Sequence, residues 1–351
     1  MKTSILKVNP KDTEPEKIHE AAKIIKAGGL VAFPTETVYG LGADALNEDA
    51  VLKVFTAKNR PLDNPPIVHI ASIPEVHPLV FELSKKATLV MEKFWPGPLT
   101  LIFKRSNSVP KTTVAGLDTI AIRMPKHRVA HELIKESHTP IAAPSANLSG
   151  KPSPTTAQHV YEDLNGRIDA ILDGGATHIG VESTVVDLST SPPVLLRPGG
   201  TTFETLKEVL PDLVLHPFVD AEVELPLEKI QSPGMKHKHY APRVDVILVE
   251  GNIEAVVYKI RSLTEAYVKK GNKVGLLATD ETLSAYQAYI VKSMGSRHNL
   301  NSIAKNLFRL LRELDGEGVD VVLAESVPIE GLGLAVMNRL RKASGYHIIK
   351  A

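Results

Sequence analysis

Phe33-Pro34-Thr35-Glu36-Thr37-Val38-Tyr39-Gly40-Leu41-Gly42 is the stretch whose reading decides the fold. Before it, Gly28-Gly29 ends a helical run, and Leu30-Val31-Ala32-Phe33 reads as a short buried strand, apolar without a break. Pro34 stops that strand, because proline has no N–H to give to a sheet ladder. Three hydroxyls (Thr35, Thr37, Tyr39) and one carboxylate (Glu36) then precede two glycines, taken here as flexible backbone. Polar side chains past the carboxyl end of a strand are how open α/β sheets build small-ligand sites. A plain strand and turn fits the same spacing, so the remaining chain must decide.

Upstream, Ile18, Ala21, Ala22, Ile24 and Ile25 have helical spacing within Glu16–Lys26. Downstream, Asn47 can cap a helix with Ala50, Val51, Val54 and Phe55 on one face, which ends at Lys58-Asn59-Arg60-Pro61 because Pro61 disfavours helical geometry before it. Lys58 and Arg60 at a helix end suit either an anionic ligand or the helix dipole, the latter worth ~0.3–1 kcal/mol each. His69 closes the short strand Ile67–Ile70, where a histidine is a ligand group or simply a satisfied core residue. Glu82–Phe94 reads as helix, broken by Trp95-Pro96-Gly97-Pro98, and Leu99–Lys104 and Thr119–Arg123 read as strands. Lys104, Arg105, Lys111, Arg123, Lys126 and Arg128 face one acid, Asp118, over that span, which marks it as the expected docking place of an anionic partner. Ile141-Ala142-Ala143 leads into Pro144-Ser145-Ala146-Asn147, again a strand giving way to polar side chains; Ser145 and Asn147 would share a side in extended chain, or form an ordinary Asx turn. Ser183 opens a further strand, and Arg197 closes another before Pro198-Gly199-Gly200.

Prolines 211, 217, 226, 233 and 242 break the pattern, so residues 1–210 are expected to form one domain and 211–243 a linker. The linker holds Ser232-Pro233-Gly234-Met235-Lys236-His237-Lys238-His239-Tyr240-Ala241-Pro242, basic and aromatic, readable as a lid around Met235–Tyr240 over an anionic ligand or as a solvated tether. Residues 244–351 alternate strand and helix: Val244–Val249, Ile253–Lys269, Lys273–Leu277, a further helical region, Ser302–Leu314, Val319–Ala324 and Leu332–Lys342. That rhythm implies a parallel sheet with helices on both faces. No Gly-x-Gly-x-x-Gly follows its first strand, so dinucleotide binding is not expected.

Composition narrows the class. The chain has 351 residues, 43% hydrophobic, with a net charge of +1 and no cysteine, which excludes disulfides, thiolate metal sites and cysteine nucleophiles. No run reaches the ~18 apolar residues of a membrane helix, and the N-terminus meets a charge and a proline too early for a signal-peptide core. A cytoplasmic protein is expected. A Walker phosphate loop, a nucleophile elbow around Ser183 and paired carboxylates at metal-ligand spacing are all missing, so no protein metal site is expected. The cations and small polar groups at strand ends suit a polyphosphate bound beside a small polar molecule, with catalysis by positioning and charge neutralisation.

Lys58-x-Arg60 with Ser145-x-Asn147 resembles the signature of YrdC-like domains, and Phe33–Gly42 resembles their opening strand and turn. The linker motif and the domain after it resemble the two-domain threonylcarbamoyl-AMP synthase family, and the likeness covers nearly the whole chain. The resemblance implies a twisted open α/β sheet with a concave basic cavity, followed by a smaller Rossmann-like parallel α/β domain. It implies an enzyme making threonylcarbamoyl-AMP and pyrophosphate from L-threonine, bicarbonate and ATP with magnesium, for threonylcarbamoyl modification of tRNA by a separate downstream transferase machinery, tRNA being met only indirectly. Carried over by position, Thr37, His69, Arg123, Ala143 and Ser183 would line the threonine end. Arg60, Asn64, Thr119, Ser145, Asn147, Ser153, Arg197 and His237 would hold ATP, with Lys58 beside the phosphates. Lys58 and Arg60 would be the catalytic cations. His237 stands where relatives often carry tyrosine. An RNA-binding surface on the same basic cavity is the alternative; the aromatic platform for single strands is thin, with 5% aromatic residues. A carbamoyl transferase of the hydrogenase-maturation type is discounted, because it carries a cysteine zinc finger.

Overall fold

The computed structural model describes residues 2–223 and 240–351, which divide into two compact units. The first comprises residues 2–149 and 153–219; the second comprises 150–152, 220–223 and 240–351.

In the first unit the strands are β1 (Ser4–Lys7), β2 (Val31–Phe33), β3 (Gly40–Asp44), β4 (Ile67–His69), β5 (Leu99–Lys104), β6 (Thr119–Arg123), β7 (Ile141–Ala143), β8 (Ala170–Asp173), β9 (Thr184–Asp187), β10 (Val194–Arg197) and β11 (Val214–Leu215). They form one mixed sheet in the order β1-β8-β2-β3-β7-β4-β6-β5-β9-β10-β11. The helices are α1 (Pro15–Lys26), α2 (Glu48–Lys58), α3 (Lys85–Phe94), α4 (Arg128–Ser137), α5 (Ala157–Leu164) and α6 (Phe203–Lys207). The unbroken apolar run before Pro34 is explained by cover on both sides. Val31 and Phe33 pack with Ile18, Ala22 and Ile25 of α1 and Val129, Leu133 and Ile134 of α4. Leu30 and Ala32 pack the other way, with Ala50 and Val54 of α2 and Val160 and Leu164 of α5. Each large apolar side chain so buried contributes roughly 1.5–3 kcal/mol.

Gly40 and Gly42 are not the flexible turn expected of them. They lie in β3, which returns antiparallel beside β2 with Phe33 opposite Gly40 and Val31 opposite Gly42. A Cβ on Gly42 would stand 2.7 Å from Ile141 Cγ2 and 2.8 Å from Phe33 Cε1. Close packing, not backbone freedom, requires glycine there. The α2 expectation holds in detail: Asn47 Oδ1 accepts from Ala50 N at 3.1 Å, and the helix stops at Asn59 in the left-handed region (φ 50°).

In the second unit β12 (Asp245–Glu250), α7 (Ile253–Lys269), β13 (Val274–Ala278), β14 (Ile290–Ser293), α8 (Leu300–Gly316), β15 (Val321–Glu325), α9 (Gly333–Ala343) and β16 (Ile348–Lys350) build an all-parallel sheet, ordered β14-β13-β15-β12-β16. The region read as further helix instead holds a single 3-10 turn (Leu283–Ala285) and the edge strand β14, whose residues are all half-buried and so lack an apolar period. β1, β11 and β16 were likewise invisible; β1 and β11 are short and largely exposed. Among the described residues no helix is long and apolar enough to cross a membrane.

Gly42→Ala forces β3 away from Phe33 and Ile141, so we expect a loss of about 1–3 kcal/mol of unfolding free energy, read by denaturant titration.

Candidate active site

Strand register places four of the expected residues, His69, Thr119, Arg123 and Ala143, on one face of the first sheet. Residues directly opposite one another share a face, and a strand alternates every residue. His69 pairs with both Arg123 and Ile141, Ile67 with Ala143, and Thr100 with Arg123. Thr100 also pairs with Val185, two residues after Ser183. Ala143, His69, Thr119, Arg123 and Thr100 therefore face one way. Thr119 opens β6 and Arg123 closes it, a rise of roughly 13 Å along extended chain. A ligand touching both must be long.

Hydrogen bonds then tie the side chains into groups. Arg123 Nη1 donates to Thr37 Oγ1 at 2.9 Å, and its Nε donates to Gly97 O at 3.2 Å. Thr37 Oγ1 also lies 2.8 Å from Thr35 Oγ1, and Gly180 N donates to Thr37 O at 3.1 Å, which brings the loop before Ser183 to the opening stretch. Ser183 Oγ is 2.8 Å from Thr100 Oγ1 and accepts from Arg197 Nη2 at 3.1 Å, while Arg197 Nε donates to Ser183 O at 3.0 Å. Thr37, Arg123, Ser183 and Arg197 are thus joined through β5 and β6.

A second group surrounds α2's end. Lys58, 1% exposed, donates through Nζ to the carbonyls of Ser145 and Asn147. Ser145 Oγ donates to Asn147 Oδ1 at 2.6 Å, so the pair lies side by side as their spacing requires. Arg60 donates from Nε to Asn64 O at 2.8 Å and from Nη2 to Pro65 O at 3.1 Å. Asn64 Oδ1 is buried and makes no hydrogen bond. The isolated bridge between Gly40 and Ser145, with Ala146 N donating to Tyr39 O at 2.8 Å, locks this group to the opening stretch.

Lys58, Arg60, Arg123 and Arg197 each give an N–H to a backbone carbonyl. A carbonyl dipole fixes a cation's position, and positioned cations suit binding of polyphosphate and carboxylate; Arg123 is faced by the Glu36 carboxylate as well.

Other expected residues stand further along. Ser153 Oγ donates to the buried Glu182 Oε1 at 2.6 Å. His237, and the reading of Met235–Tyr240 as a lid, fall on residues 224–239 outside the described residues, except Tyr240. The basic run from Lys104 to Arg128 does not act as a unit. Arg128 Nε pairs with Glu132 Oε1 at 2.7 Å, Arg105 Nε donates to Leu117 O at 3.2 Å, and of the run Arg123 joins the cluster. Glu36, noted in the opening stretch without a role of its own, is buried beside Arg123, and Thr100 and Gly97, of which no role was expected, also join the group; the signal for Glu36 is a lone carboxylate in an otherwise hydroxyl and apolar stretch.

His69 is 3% exposed, with Nδ1 3.1 Å from Ile67 O, and its ring stands edge-on to Phe33 at 6.0 Å. Burial, reinforced by the positive charge of Arg123, lowers its pKa to about 3. His127 is lowered to about 4, mainly by burial, with His178 lowering it further and Glu36 pulling it up. Both imidazoles are neutral at working pH. Unfolding frees them to take a proton near 6.5, so the unfolded chain binds more protons between about pH 6.5 and 4. Stability is therefore full above that window and falls as pH drops through it, by up to ~1.4 kcal/mol per pH unit per histidine. We expect His69→Gln to remove roughly half of this slope in denaturant titrations across the window.

A family model described as "Telomere recombination", for the Sua5, YciO and YrdC group, matches residues 23–199, and a model described as the C-terminal domain of threonylcarbamoyl-AMP synthase matches residues 201–345. Threonylcarbamoyl-AMP synthase of Pyrococcus abyssi is 52% identical over 337 residues, covering 96% of both chains. That of Bacillus subtilis is 48% identical over 339 residues, again covering 96% of both. The crystal structure of P. abyssi Sua5 complexed with L-threonine is 51% identical, with a TM-score of 0.94 over 99% of this chain and 100% of that one. With matches to both domains and relatives aligned from end to end, the chain belongs to the threonylcarbamoyl-AMP synthase family of nucleotidyltransferases.

Proposed function

We propose that this chain joins L-threonine, bicarbonate and ATP into threonylcarbamoyl-AMP and pyrophosphate. The observation that carries the reading is the bonded group of Thr37, Arg123, Ser183 and Arg197, a buried cationic and hydroxyl surface on the sheet face that also holds His69 and Ala143. Arg123, as a planar guanidinium, matches the threonine carboxylate, and neutral His69 and Ala143 complete that end. Thr119, four residues along the same strand face, lies toward the nucleotide, with Arg60, Asn64, Ser145, Asn147, Ser153 and Arg197. The unmet acceptor Asn64 Oδ1 supports a ligand with N–H groups there, as adenine has.

The threonine amine, as free base, attacks the carbon of bicarbonate: the N–C bond of a carbamate forms, the C–OH bond breaks, and the hydroxyl leaves as water with a proton from the nitrogen. A carbamate oxygen then attacks the α-phosphorus of ATP, and the bond to pyrophosphate breaks in line. Lys58 and Arg60 neutralise charge on the departing pyrophosphate. Magnesium, when bound with ATP, would supply further neutralisation of phosphate charge. The product is a mixed anhydride that water destroys, so a separate transferase must carry its threonylcarbamoyl group to tRNA.

The test is pyrophosphate release from magnesium-ATP. We expect release only when threonine and bicarbonate are both present; release that ignores either omission overturns the assignment. Arg123→Lys, which loses the fork, should raise the KM for threonine by roughly 30-fold or more with little change in the KM for ATP.

A further inference from the structure

Arg123 has a buried acidic neighbour, Glu36, to which the reaction above gives no role. Glu36 follows the strand-stopping Pro34 and is held in place by its own backbone: its carbonyl accepts from Ile179 N at 2.9 Å. Its side chain is 8% exposed and that of Arg123 4%, with Oε1 and Nη2 2.7 Å apart. The contact is one of charge alone. Neither carboxylate oxygen of Glu36 nor Nη2 of Arg123 makes a hydrogen bond, whereas Arg123 Nη1 and Nε are used by Thr37 and Gly97. Buried polar atoms are almost always hydrogen-bonded, so a carboxylate whose Oε2 has no partner and whose Oε1 meets Nη2 without hydrogen-bond geometry marks a place shaped for something else.

The chemistry of that pair is specific. It offers two acceptor oxygens bearing a negative charge beside a donor bearing a positive one. An α-amino acid carries the opposite arrangement, an ammonium and a carboxylate separated by one carbon. Laid antiparallel across the ion pair, its carboxylate meets Arg123 and its ammonium meets Glu36, and neither protein charge loses its partner. Nearby groups do not compete for the ammonium: His127 is neutral, and Thr37 already engages Arg123.

We propose that Glu36 is the counter-ion of the substrate's ammonium group, so that the Glu36–Arg123 pair selects a zwitterionic amino acid over a plain carboxylate. This rests on the reading of Arg123 as the threonine carboxylate partner. It also places a proton acceptor on the nitrogen that must lose a proton before it can attack carbon. The proton passes from the ammonium nitrogen to a carboxylate oxygen, leaving a neutral amine with its lone pair free.

The test compares L-threonine with β-hydroxybutyrate, the same molecule without its amino group, by calorimetric titration. The wild-type chain is expected to prefer threonine by roughly 30-fold or more, as for a buried charge pair. Glu36→Gln should collapse that preference to within about threefold, with β-hydroxybutyrate bound as well as before or better, because Arg123 is released. Glu36→Asp keeps the charge, and should fold and retain most of the preference. A residue that merely steadied Arg123 would weaken both ligands together and leave the ratio intact. An intact ratio in Glu36→Gln overturns the proposal, and so does a wild-type chain that binds both ligands within about threefold, a result that needs no variant to fold. Wild-type chain that binds neither ligand, with threonine-independent pyrophosphate release, instead overturns the threonine reading on which the proposal stands.

Discussion

Four buried or half-buried cations held by main-chain carbonyls are the constraint on which the rest of the first domain depends. An isolated ammonium or guanidinium taken out of water is expensive, and the two usual remedies are a carboxylate or a set of oriented dipoles. Lys58 uses the carbonyls of Ser145 and Asn147, Arg60 those of Asn64 and Pro65, Arg197 that of Ser183, and Arg123 that of Gly97 together with the Glu36 carboxylate. Each carbonyl belongs to a loop rich in proline or glycine, where the ladder leaves oxygens unspent. The loops are thus part of the electrostatics, and the proline and glycine content that interrupts the strands is what makes these carbonyls available.

The same loops explain why the strands are so short. β2, β4 and β7 have three residues each, enough to span one buried layer and no more. Their ends bring His69, Ala143 and the residues after Pro34 and Pro144 onto a common surface. Gly40 and Gly42 let β3 lie against Phe33 and Ile141 without filling the space in front of them. Trp95 Nε1, donating to Leu99 O at 2.7 Å, steadies the turn whose Gly97 carbonyl receives Arg123.

Charge is then divided by role. Glu36 sits against Arg123 and Glu182 against Ser153, so the buried acids lie next to particular residues and are not spread over the surface. In the second domain the buried acids tie elements together: Glu250 accepts from Arg341 Nε at 2.8 Å and from Lys350 at 2.9 Å, and Glu325, fully buried, accepts from Thr279 and Tyr286. These acids sit at the carboxyl ends of β12 and β15, and fasten the sheet to its own neighbouring loops and helix.

By itself the sequence determined the strand–helix alternation, the capped end of α2 and the clustering of hydroxyls and cations at strand ends, because each is a local matter of period, caps and proline. The family likeness was legible for the same reason: its motifs are short runs. The pairing of strands far apart in the chain was decided only in three dimensions. Whether Gly40 and Gly42 are loose turn or close-packed strand depends on Phe33 and on Ile141, about a hundred residues away, and no local period records that contact. The six-cation run looked like one patch in sequence, yet helix and loop partners drew Arg128 and Arg105 elsewhere and left Arg123 in the site. Glu36 gained its significance only when β6 delivered Arg123 to it, since the energy of a buried ion pair depends on distance and dielectric, which the order of residues does not contain.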